Sequence, residues 1–202
     1  ELSKLYIDIT KDRVYTERAD SKARRSAQTA MYFVLSGLVR LLAPILAYTG
    51  EEMWQAIPHV ETDKTESVFL NDMPVYDEKY AGGELAVKWN ALLAVRDDVM
   101  KALELARADK VIGASLDAKV ALYAEGELYD FAESVKDILP TVFMVSDFEL
   151  IKGEGGSFKG EVEGMSVTAT HAEGEKCARC WSFGNTVGKD ADHPTICERC
   201  AN

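Results

Sequence analysis

The chain reads as mainly α with α+β: a helical bundle, then a small mixed α/β module, then a four-cysteine zinc knuckle. Three observations predict this order. Apolar residues recur at three- and four-residue steps over 23–54 and again over 84–107, the period of a helix with one buried face. After Asp109 that period gives way to clusters of β-formers bounded by glycines. All four cysteines fall after Lys176, as two Cys-x2-Cys pairs. The expected divisions are 1–110 for the bundle, 111–172 for the module and 173–202 for the metal-binding segment.

The first helix places Leu2, Leu5 and Ile9 on one face, with Val14 and Tyr15 closing it. Asp8 and Lys11 have the spacing of a supporting ion pair. Residues 16–21 are polar and turn into the next helix, for which Asp20 or Ser21 is the candidate cap. That next helix is the element the chain is expected to pack around. Its stripe is Ala27, Ala30, Met31, Val34, Leu38 and Leu41, widened by Leu35 and Leu42, and Pro44 ends or kinks it. Thr49 and Glu52 have capping-box spacing and predict a short helix running past Trp54 to Pro58. Residues 58–83 read as loop, with Val68–Leu70 as an apolar anchor and His59 as a surface or capping histidine.

A long helix over 84–107 is expected to bury Leu85, Trp89, Leu92, Val99, Leu103 and Ala106, with Val95 beside them and Arg96 the one polar position. Arg96, Lys101 and Arg107 then face solvent or RNA, with solvent the default. Residues 119–123, 141–145 and 148–151 and the stretch from Met165 to Ala172 read as strands. A helix from Leu128 to Leu139 should stop at Pro140. No catalytic constellation emerges, and the glycine-rich stretch 153–164 lacks the Lys-Ser/Thr of a phosphate loop.

Cys177, Cys180, Cys197 and Cys200 have the spacing Cys-x2-Cys-x16-Cys-x2-Cys. Each Cys-x2-Cys turn aims two thiolates at one point, and two such turns complete a tetrahedron. The expectation is one structural Zn2+ with no open position for water. Lys176, Arg179, Lys189 and Arg199 lie close in sequence and can offset the −2 charge of a zinc tetrathiolate. Arg179 has a second reading, contact with RNA. Trp181 either packs on the knuckle or offers an indole to a base. His193 is a bystander beside four cysteines. The clustering fits a reducing compartment, and with no signal peptide or apolar run long enough for a bilayer the expected location is cytoplasmic, away from membranes.

The net charge of −11 excludes a general nucleic-acid binder. It is uneven, however. Seven Lys or Arg stand against three acids from Lys11 to Arg40, so 7 − 3 gives a local +4. An acidic chain with one basic face can hold a nucleic acid at a single place.

The segment RRSAQTAMYFVLSGLVRLLAPILAYTGEEMWQ, with YIDITKDRVYTE before it, resembles the anticodon-binding helical domain of the class I aminoacyl-tRNA synthetases for branched aliphatic amino acids. KCARCW and CERC narrow the resemblance to the bacterial isoleucyl-tRNA synthetase family, and IGASLDAKV resembles the segment that follows the helical domain there. There is no HxGH-like or KMSKS-like segment. The resemblance therefore implies a monomeric C-terminal fragment of an isoleucine–tRNA ligase that binds tRNA(Ile) and does no chemistry itself. ATP would bind only in a catalytic domain that, with the editing domain, lies outside this chain. Lys11, Arg13, Lys22, Arg24, Arg25, Arg179 and Trp181 become the candidate tRNA contacts. The alternative is a zinc-ribbon adaptor whose acidic bundle binds a basic protein, and a DNA-binding ribbon comes third.

Overall fold

The computed structural model describes residues 2–201; the side chain of Leu2 lies outside the described residues. The chain forms two compact units. One is Arg13–Ala81, and the other joins the stretch up to Asp12 to everything from Gly82 onward. The boundary falls inside the first helix.

The unit Arg13–Ala81 contains the end of α1 (Ile7–Thr16), α2 (Lys22–Leu42) and α3 (Ala47–Ala56). Ser21 is the cap of α2, its hydroxyl accepting from the Arg24 N–H at 3.5 Å. Pro44 ends α2 as expected. α3 starts earlier than the Thr49 signal, with Leu46 at its N-cap and no side-chain cap. The turn between the two helices is tight because a Cβ on Gly50 would lie 3.0 Å from the Ala43 Cα.

The core of this unit is small: Val39, Ala43, Trp54 and Val68, flanked by Leu35 and Ile57. The expected stripe on α2 is therefore largely wrong. Val34, Leu38, Leu41 and Leu42 are exposed, and the buried positions are Ala27, Ser36 and Val39. Among the described residues α3 and the Val68–Leu70 turn pack against α2, and the apolar side chains Val34, Leu38, Leu41 and Leu42 stay exposed. Tyr15, expected to close a buried face, is also exposed.

A polar node fixes the loop. Asp63 accepts from Arg40 at 2.6 Å, Tyr32 at 3.3 Å and the Val60 N–H at 3.1 Å. Burial works to raise the Asp63 pKa, but these donors and the Arg40 charge outweigh it and hold the carboxyl below its ordinary value. His59 is half-buried. Its ring stands 4.6 Å from Trp54, whose indole N–H donates to the Lys64 carbonyl at 3.2 Å.

In the second unit α4 (Gly83–Ala108) organises the core. β1 (Ala118–Ala124) is the middle strand of a mixed sheet, parallel to β2 (Asp147–Lys152) and antiparallel to β3 (Met165–His171). α5 (Gly126–Ser134) and α6 (Leu139–Phe143) connect β1 to β2. Leu92, Val95, Val99, Leu103 and Ala106 share one cluster with Val120, Leu122, Phe143 and Val167. Each fully buried side chain of this size contributes about 1.5–3 kcal/mol. Leu5 and Ile9 join the same cluster from the start of the chain.

Four expectations fail here. Leu85 and Trp89 lie in the first turns of α4 beyond the reach of the sheet, so both are exposed. Pro140 opens α6 instead of stopping a helix, since the first turn needs no N–H from it. The expected strand 141–145 becomes that helical turn, closed by Met144 in the left-handed region at φ 55°. Arg96, Lys101 and Arg107 do not simply face solvent. Arg96 donates to the Val142 carbonyl at 3.0 Å, Lys101 pairs with Glu161 at 2.7 Å, and Arg107 reaches the Ser115 hydroxyl at 3.4 Å.

Asp98 is the one charged residue in the buried face of α4. It accepts from the Val162 N–H at 2.8 Å and pairs with Lys101 at 3.5 Å, clamping the glycine-rich loop. A Cβ on Gly160 would fall 2.0 Å from the Asp98 carboxyl carbon, so only glycine lets the loop come this close. Burial opposes ionisation of Asp98, yet the Val162 and Glu161 N–H groups and Lys101 prevail and depress its pKa. A depressed carboxyl pKa adds stability that is present above the unfolded value and is lost as pH falls through the folded one. Asp98→Ala is accordingly expected to cost about 1–3 kcal/mol at neutral pH, measured by urea unfolding. That penalty should shrink as the medium is taken below about pH 4, where wild type loses the carboxylate as well. A penalty independent of pH would contradict this role.

Candidate metal centre and nucleic-acid interface

After β3 the chain forms a two-strand ribbon, β4 (Glu175–Lys176) with β5 (Phe183–Gly184), and ends in the single turn α7 (Glu198–Ala201). The first Cys-x2-Cys lies in the ribbon's turn and the second runs into α7. Backbone bonds fold each pair tightly: Trp181 N–H to the Cys177 carbonyl at 2.9 Å, and Cys200 N–H to the Cys197 carbonyl at 2.9 Å. The Cys197 N–H points at the Cys177 sulfur at 3.3 Å. Trp181 makes the first turn by adopting φ 65°, a left-handed conformation rare for an aromatic residue.

The four Sγ atoms lie within 4.8 Å of one another, and all four cysteines are unbridged. Cys180 and Cys197 are 3.8 Å apart at sulfur. A tetrahedron with Zn–S bonds of about 2.3 Å has edges of about 3.8 Å, so the cluster fits zinc. Cys177, Cys180 and Cys200 are buried, and the further apolar contacts here come from Val187 and Ile196. With so little apolar material, the metal is the core of this segment.

The thiols are not equivalent. Burial works to raise the Cys177 pKa, but the N–H groups of Cys180, Cys197 and Arg179 outweigh it and bring it down to about 6. Burial, with the neighbouring Cys197 and Cys180 sulfurs, pushes Cys200 up. A cation among them removes the like-charge conflict.

The four cations near the centre take different roles. Arg179 donates to the Cys200 carbonyl at 3.1 Å and ties the two halves of the knuckle together. Lys176 pairs with Asp117 at 3.2 Å and joins the ribbon to the sheet module. Phe183 N–H reinforces that joint through the Ser146 hydroxyl at 2.7 Å. Arg199 leaves the knuckle and forms a two-pronged pair with Asp12 on α1, both bonds 2.9 Å. Sequence proximity identified Arg199 as a cation near zinc but gave no sign of this distant partner. Lys189 is exposed.

The candidate RNA contacts divide between the units. Lys22, Arg24 and Arg25 stand together in the first turn of α2, which contains no acidic residue. Lys22 and Arg25 are not engaged in the way Arg24 is, which donates to the Glu17 carbonyl at 3.0 Å. Arg25 is exposed. Arg13 is half-buried on α1. Lys11 is exposed and pairs with Asp8 at 2.6 Å, as its spacing predicts. Arg40, counted in the local positive charge, is held by Asp63. Trp181 does not pack on the knuckle: 64% of it is exposed. His171 sets its ring edge-on to Phe183 at 4.8 Å.

The helical part of the chain, with the basic first turn of α2, is of a known kind. Residues 1–122 match the family model of the anticodon-binding domain of tRNA ligase, and the chain belongs to that family. Residues 174–202 match the zinc finger found in FPG and IleRS, which with the thiol geometry gives the chain a structural zinc. Among similar curated proteins, the isoleucine–tRNA ligase of Thermoanaerobacter sp. (strain X514) is 46% identical over 206 residues, covering 100% of this chain and 22% of the relative. The isoleucine–tRNA ligase of Moorella thermoacetica is 47% identical with the same coverage. That of Bacillus cereus (strain G9842) is 43% identical over 203 residues, again 100% of this chain and 22% of the relative. The chain thus spans 22% of the length of these relatives.

Purified protein should contain about one zinc per chain by metal analysis. Cys197→Ser should lose the metal and the protection of the segment from residue 174 on, while α2 and α3 keep their helical signal. Full zinc content in a protein lacking all four cysteines would overturn the centre.

Proposed function

We propose that this chain is the tRNA-gripping C-terminal part of an isoleucine–tRNA ligase. In this reading 1–110 is the anticodon-binding helical division, 111–172 a spacer module and 173–202 the zinc-bearing division, with α4 serving the first two. Cys177, Cys180, Cys197 and Cys200 hold one zinc. The catalytic and editing domains, and ATP with them, belong to the rest of the enzyme, which works in the cytoplasm as a monomer. No described helix is long and apolar enough to cross a membrane, in keeping with that location.

One observation carries the RNA reading. The first turn of α2 carries Lys22, Arg24 and Arg25 and no acid, in a chain of net charge −11. The exposed N–H groups of a helix N-terminus already favour anions, and three cations there oppose the helix dipole unless an anion joins them. A phosphate of a tRNA loop supplies it. Unpaired loop bases offer faces and edges to neighbouring side chains, and Trp181 presents an indole suited to stacking. Lys11, Arg13 and Arg179 add positive charge. In the whole enzyme such binding energy places the acceptor end of tRNA(Ile) at the catalytic site.

Arg24→Ala with Arg25→Ala should weaken tRNA(Ile) binding by about 1–3 kcal/mol, with a smaller dependence on salt. Arg25→Ala alone separates RNA contact from the bond of Arg24 to Glu17. Titration against tRNAs differing only in the anticodon reads both. Equal affinity for all of them, unchanged by the substitutions, would favour a zinc-ribbon adaptor binding a basic protein instead. The chain alone should show no isoleucine-dependent exchange of pyrophosphate into ATP. Exchange that survives stringent purification would contradict the division of labour.

A further inference from the structure

Arg199 occupies an unusual position. It lies between the ligand candidates Cys197 and Cys200 in the single turn α7, yet its guanidinium grips Asp12 on α1, 187 residues away in sequence. Both prongs are 2.9 Å, Nη1 and Nη2 each meeting one carboxylate oxygen, a bidentate fork that is stronger than a single charged bond. Five N–H donors in one rigid plane let it hold both carboxylate oxygens of Asp12 at once, which the single point charge of a lysine would not do.

We propose that Arg199 is the joint through which the zinc centre positions α1. One end of the joint is made by the metal. α7 has four residues, too few to persist alone, and it is held by the Cys197 carbonyl and the buried Cys200. The knuckle has little apolar core besides its thiols, so α7 and the place of Arg199 depend on the metal. The other end is α1, anchored in the core by Ile9, with Leu5 just ahead of it in the same cluster, and exposed on its outer side at Lys11. Asp12 lies next to Lys11, so the clamp fixes the stretch of α1 that presents this cation. Lys11, Arg179 and Trp181 all belong to the unit that the clamp braces. If the anticodon-binding reading holds, metal occupancy sets the orientation of the α1 cation as well as that of the knuckle.

The test uses the whole chain, loaded with zinc, with amide hydrogen exchange on residues 7–12 as the readout. Stripping the zinc from wild type with a chelator should speed exchange in α1 by about tenfold, the scale of one charge-assisted hydrogen bond. Asp12→Asn leaves every knuckle residue in place and should retain one zinc per chain by metal analysis. Its α1 should already exchange as fast as that of metal-free wild type, and chelation should add nothing. Arg199→Met should match it. Unchanged α1 exchange on chelation of wild type would overturn the proposal, as would slow exchange in zinc-loaded Asp12→Asn. No RNA enters this assay, so its outcome stands apart from whether the chain reads an anticodon.

Discussion

The larger unit depends on one contact: the buried face of α4 against the inner face of the sheet. Leu92, Val95, Val99 and Leu103 meet Val120, Leu122 and Val167 there, and α6 adds Phe143. The strand that pairs with both neighbours, β1, also follows α4 most directly, so a single helix–strand register decides where β2 and β3 lie. Asp98 turns the same contact into a fixing point for the glycine-rich loop. A charge in that position is tolerated because backbone N–H groups and Lys101 surround it. The ribbon and knuckle are then tied to this body through Asp117, Ser146 and Asp12.

The knuckle follows a different rule. Its buried residues are cysteines, and its order comes from coordination instead of apolar area. Such a segment is rigid when loaded and has little to hold it otherwise. In the proposed function that rigidity keeps Arg179 and the exposed Trp181 in fixed positions. The chain carries a net charge of −11, so in that reading an RNA is held where cations are grouped, which favours a defined register over general adhesion.

The sequence was most legible where a covalent spacing or a strict period set the geometry. Cys-x2-Cys-x16-Cys-x2-Cys specified the thiol cluster, and β-former clusters located β1, β2 and β3. Ser21 and Pro44 marked the ends of α2. Which face is buried was much less legible. The stripe on α2 has helical period, but period alone does not say which neighbours are present, and Ala27, Ser36 and Val39 are buried while Val34, Leu38, Leu41 and Leu42 are exposed. Pro140 misled because the same ring both ends and opens helices. Asp98, the Arg40–Asp63 node and the Arg199–Asp12 pair all depend on partners far away in sequence, which no local pattern encodes.

The most direct test of the proposed reading is a hydroxyl-radical footprint of isoleucine tRNA with the zinc-loaded chain. The account expects protection confined to the anticodon stem and loop, with the acceptor stem as reactive as in free tRNA. Protection concentrated on the acceptor stem, or none at concentrations that saturate binding, would contradict it.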